Sequence, residues 1–136
     1  MEDRLISIQT ARLAREKGFH EEVKDYLLAE PENRDESIYG NSQYKHDFNS
    51  GKKNSSGEPL ISAPTQSLLQ KWLRERHRIH IAINGLYNNN IMIAYTFDIC
   101  LVDANPYKEG IHSVMTYPTY EEALETALKQ ALNKIQ

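Results

Sequence analysis

The side chains able to do chemistry are few and scattered. His77 and His80 form an H-x2-H spacing, and Asp98, Cys100 and His112 follow downstream. A zinc site needs three or four such ligands converging on one point. Here His77 falls at a helix end and His80 on a strand, which predicts a cationic helix terminus beside a solvent-facing strand histidine. Cys100 with one of the five histidines has the types of a nucleophile and its base. Its mid-strand position predicts a buried structural thiol instead. Glu121, Glu122 and Glu125 offer carboxylates for acid–base work, but helix capping and dipole complementarity account for all three. Gly40, Gly51, Gly57 and Gly85 are isolated, so no phosphate-cradling loop is present. These observations assign no catalytic residue, no metal and no cofactor.

Two surfaces remain. Lys71, Arg74, Arg76 and Arg78 make a local basic segment suited to phosphate contact. Met92, Ala94, Thr96 and Cys100 fall on the second face of a predicted strand. That face is small and mixed rather than charged, and such a face needs a cover, from the chain itself or from a partner.

The elements that must position these residues follow from period and capping. Ser7 to Lys17 predicts a helix capped by Ser7 and closed by Gly18. Val23–Ala29 suits a helical turn or a strand. Glu30–Pro59 is rich in turn residues, with a short hairpin expected between Ser37 and Phe48 and a flexible loop over Asn49–Gly57. Ser62-Ala63-Pro64-Thr65 supplies a capping hydroxyl and a first-turn proline for a helix running to about Arg76, with Leu68, Leu69, Trp72 and Leu73 on one face. Alternation predicts strands at Ile79–Ile83 and Ile91–Asp103, with Ile91, Ile93, Tyr95, Phe97, Ile99 and Leu101 toward the core. Asn84–Asn90 carries hairpin chemistry, and a third strand is expected from His112 to Tyr117. Thr119-Tyr120-Glu121-Glu122 is a capping box opening an Ala/Leu helix. The expected fold is α+β, one domain over residues 1–136, with a small antiparallel sheet of about three strands packed against two or three helices in the order α–loop–α–β–β–β–α.

Composition narrows the functional classes. The formal net charge of the 136-residue chain is -3, so whole-molecule attraction to nucleic acid or anionic lipid is disfavoured. With a single cysteine no intramolecular disulfide forms, and no apolar run reaches membrane-span length, which predicts a cytoplasmic protein.

The β–β–β–α order resembles the integrase type of three-strand-plus-helix DNA-binding domain. Those domains present basic side chains from the sheet, whereas these strands carry Asp98 and Asp103. Two stretches, Ile8 to Phe19 and Ser62 to Glu75 (SAPTQSLLQKWLRE), with the ending Tyr120 to Glu125, resemble small uncharacterised proteins of phages and prophages of Bacteroides-type bacteria. That resemblance implies a mobile-element accessory protein and no activity. The expectation is an accessory protein acting by protein–protein interaction, with an unknown partner or by self-association. A nucleic-acid-binding module using residues 71–78 is the alternative, and a small enzyme comes last.

Overall fold

The computed structural model describes residues 3–28, 39–53, 55, 57–101 and 110–135. The fold is α+β, as expected, and the chain forms two compact units, Met1–Thr65 and Gln66–Gln136.

In the first unit α1 spans Ile8–Glu16. Ser7 caps it, its hydroxyl accepting the Thr10 amide at 3.3 Å. At the other end Gly18 has φ +94°, and the Gly18 and Phe19 amides return to the Arg15 and Ala14 carbonyls. This is the Schellman closure that a glycine permits, and it folds Phe19 inward to full burial. Val23–Leu28 is a strand, β1, which settles the ambiguity left by its composition; Ala29 lies outside the described residues. β1 is the centre of a three-stranded antiparallel sheet between β2 (Tyr39–His46) and β3 (Leu60–Ser62). The expected hairpin over Ser37–Phe48 is replaced by a single strand pairing back onto β1; Ser37 and Ile38 lie outside the described residues. Ser62 is buried in β3, and its hydroxyl accepts the Phe48 amide at 3.1 Å. It is therefore not the cap of the following helix, because strand pairing with Tyr26 has claimed it.

The second unit begins with α2, Gln66–His77. Then come β4 (Ile79–Asn88), β5 (Ile91–Leu101), β6 (Ile111–His112) and α3 (Tyr120–Leu132). The sheet order is β4-β5-β6, antiparallel throughout. Residues 102–109, including Val102, Asp103 and the loop expected from Ala104, lie outside the described residues. β4 and β5 are joined by a two-residue turn, Asn89-Asn90, with φ of +50° and +65°. Positive φ at both positions is what a tight hairpin needs, and asparagine tolerates it. The third strand is shorter than expected. After His112, Ser113 still bonds to Phe97, the chain then leaves the ladder, and it rejoins at Tyr117 opposite Tyr95.

Thr119 caps α3, accepting the Glu122 amide at 3.1 Å. The buried face of α3 is Ala123, Leu124, Ala127, Leu128, Ala131 and Leu132, the stripe its spacing predicts. α3 packs on β4 and β5, and α2 packs on β4 and α3. Both helices thus lie on one face of the sheet, where Ile79, Ile81, Phe97 and Ile99 are buried. Among the described residues no helix is long and apolar enough to cross a membrane.

Candidate functional site

Period-two alternation puts Ala82, Asn84, Thr96, Asp98 and Cys100 on the sheet face turned away from the helices, together with His80. The register sets His80 opposite Cys100, Ala82 opposite Asp98 and Asn84 opposite Thr96. On the other side of β5, His112 stands opposite Asp98. Asp98 is the hub of this face: one carboxylate oxygen accepts from His112 Nδ1, the other from Asn84 Nδ2 at 2.8 Å. The hydrogen bond from His112 holds the Asp98 carboxyl below the usual carboxylate range; Asn84 assists and partial burial opposes.

An aspartate fixing the Nδ1 of a histidine is half of a nucleophilic triad. The other half is not assembled, since among the described residues no hydrogen bond joins Cys100 to an imidazole. Cys100 is exposed, which corrects the expected buried thiol. Its parity on β5 is that of Asp98, so it shares the outward face. His77 and His80 diverge: the His77 ring stacks edge-on against Trp72, with centroids 4.6 Å apart, while His80 points to the open face. Among the described residues no three of His, Cys, Asp or Glu converge as metal ligands. The acidic group on α3 is structural. The Glu121 carbonyl and the Glu125 carboxylate both accept from the amide of buried Gln66, at 2.9 and 3.1 Å.

Burial, and secondarily the Arg76 charge, lowers the His77 pKa from 6.5. The unfolded chain therefore binds the proton more readily, and stability rises with pH across that interval. We expect the melting temperature to hold above about pH 7 and to fall as the pH drops through 6.5. His77→Phe, which keeps a ring against Trp72 and cannot titrate, should flatten part of that slope in thermal melts. An unchanged slope would remove His77 as its source.

Lys71, Arg74, Arg76 and Arg78 are all exposed, opposite a buried face of Gln66, Leu69, Trp72 and Leu73. Lys71 and Arg74 follow at i and i+3 on one side of α2, Arg76 falls on another, and Arg78 lies just past the helix end. Arg78 has φ +55°, a left-handed conformation that turns the chain from α2 into β4.

The expected interaction residues divide. Met92 is exposed, its side chain lying over Gly85, where a Cβ would come within 2.8 Å of its methyl. Ala94 and Thr96 are half-buried and Cys100 is exposed. A larger apolar surface sits at the hairpin end. Tyr87 is 65% exposed, Ile91 67% and Ile93 59%, with Leu86 beside them. Ile91 and Ile93 were expected in the core. Two causes move them out. The register slips between Leu86 and Tyr87, leaving Ile93 as an unpaired bulge residue. In addition, α3 with 13 residues covers about 20 Å, while β5 with 11 spans about 35 Å, so the helix stops short. Val114 and Met115, where the chain leaves the ladder, are exposed as well. From Ile79 to Phe97 there is no Asp, Glu, Lys or Arg.

The first unit holds a cleft of about 560 Å³ lined by Tyr26, His46 and Phe48 with Lys52 and Lys53. Tyr26 and Phe48 stack at 5.0 Å, and Lys52 Nζ donates to His46 Nδ1 at 3.4 Å. Ser42 and Ser55 also line the cleft.

No family model, no curated protein and no solved structure matches the chain.

Proposed function

We propose that this chain is a cytoplasmic accessory protein of phage or mobile-element origin that works by protein–protein contact through the β4–β5 hairpin. The observation that carries the reading is the uncharged stretch Ile79–Phe97 ending in exposed Leu86, Tyr87, Ile91, Met92 and Ile93. Soluble chains rarely leave adjacent large apolar side chains in water, and such patches mark interaction surfaces. Tyrosine and methionine are enriched at interfaces, and tyrosine supplies contact area at low entropic cost. The phage and prophage resemblance of residues 8–19, 62–75 and 120–125 supports the setting.

A second reading rests on exposed Lys71 and Arg74 on one side of α2 with exposed Arg78 at its exit, a surface for nucleic-acid phosphates.

One experiment separates them: a tagged pull-down from bacterial lysate with and without nuclease, using wild type, Tyr87→Lys/Ile91→Lys and Arg74→Glu/Arg78→Glu. A specific protein that survives nuclease and is lost with the hairpin variant is the expected result. Capture lost only with nuclease and with the arginine variant would replace the protein-contact reading by the nucleic-acid one.

A further inference from the structure

The hydrogen-bond parity of the second sheet shows which main-chain groups of β4 face outward. Tyr95 and Phe97 direct their main-chain groups to Tyr117 and Ser113, so these residues of β5 point to the β6 side. Alternation of the antiparallel ladder then turns Thr96, Asp98 and Cys100 toward β4, where they meet Asn84, Ala82 and His80. Ile79, Ile81, Ile83 and Gly85 therefore hold N–H and C=O away from the sheet. The Ile81 carbonyl accepts Gln70 Nε2 at 3.0 Å. Among the described residues, nothing takes the outward groups of Ile83 and Gly85.

Natural proteins blunt such an edge with lysine, proline or inward charge. β4 is ten residues long and has none of these. We propose that the occupant is a second copy of the chain, two β4 edges pairing antiparallel about a two-fold axis so that two three-stranded sheets become one of six. This rests on the reading of the hairpin as the contact element and names its partner.

Two features favour a second copy. A two-fold contact is self-complementary, so the partner must offer an unpaired edge of the same kind, which this chain does. No charge between Ile79 and Phe97 opposes the approach, although the chain is net negative at -3.

The test is sedimentation velocity of the full chain from about 1 to 200 µM, where a Kd on the order of 10 µM is expected. Gly85→Pro removes an outward N–H, and an added Cβ meets the movable Met92 end at 2.8 Å and the Tyr87 ring at an ordinary 3.5 Å. Tyr87→Lys places a lysine on the β4 edge, the device by which natural edge strands oppose pairing. Each should raise Kd by about tenfold or more, with far-UV circular dichroism unchanged; if Gly85→Pro fails to fold, Tyr87→Lys alone decides. A monomer at about 200 µM, or a dimer indifferent to every folded variant, overturns the proposal. A monomeric wild type that still captures a protein through the hairpin overturns self-pairing and leaves the protein-contact reading standing. A hairpin-dependent dimer that captures nothing supports self-pairing and makes the second copy the partner of the contact reading.

Discussion

Phe97→Ala is expected to remove about 3–5 kcal/mol of stability, the cost of truncating a buried phenylalanine. Phe97 is 1% exposed on the helix-facing side of β5. Its ring lies 5.8 Å from that of Tyr117, so truncation also loosens the point where the edge segment rejoins the sheet. With typical domain stabilities near 5–15 kcal/mol, such a loss takes much of the total. Trp72, the single tryptophan, is buried in α2 of the same unit and reports its unfolding by fluorescence. Urea titration should show a lower midpoint with an unchanged slope. A loss under about 1 kcal/mol would mean that the site collapses onto the gap and that the core is less closely packed than drawn.

Asn49→Ala is expected to cost about 2–4 kcal/mol in the other unit, on the basis of about 1–3 kcal/mol for each main-chain group left without its partner. Asn49 is a bridge. Its Nδ2 donates to the Phe19 carbonyl at 2.8 Å, and its Oδ1 accepts the Ser62 amide at 3.0 Å. Phe19 and Ser62 are both buried, so water does not readily replace the lost bonds. Thermal melts measure the loss, and hydrogen exchange at the Ser62 amide localises it. Asn49→Asp keeps an acceptor for Ser62 but no donor for Phe19, and should fall between wild type and alanine. Equal stability of all three proteins would mean that the bridge is replaced by water.

Asn49 also marks where sequence reasoning fails. Residues 49–57 have turn composition, and nothing local distinguishes a free asparagine from one whose amide joins two distant backbone segments. β2 is hidden for a related reason. Tyr39-Gly40-Asn41-Ser42 reads as a turn, and only pairing with β1 makes it a strand. Gly40 is there for space: a Cβ would come within 2.3 Å of the Tyr26 ring, which lies across it. What was legible rests on chemistry within a few residues. The Ser7 and Thr119 caps, the Gly18 closure, the α3 stripe and the β4–β5 alternation all have local causes. Parity alone identified the face shared by His80, Asp98 and Cys100, and it also placed Ile91 and Ile93 in the core. Parity cannot announce a one-residue bulge or the end of a covering helix, and the exposed apolar hairpin end arises from those two things.

The Asn89-Asn90 turn also bears on the order in which the second unit is built. β4 and β5 are joined by two residues already suited to positive φ, so this pair closes over the shortest loop in that sheet and needs no other element. β6 and α3 arrive later in the chain and must find a ladder already formed. During that interval the isoleucines α3 will cover are still in water, on a hairpin whose 19 residues from Ile79 to Phe97 carry no formal charge to keep copies apart. The Thr119 cap is made within α3 itself, so the start of the covering helix is stabilised without the sheet.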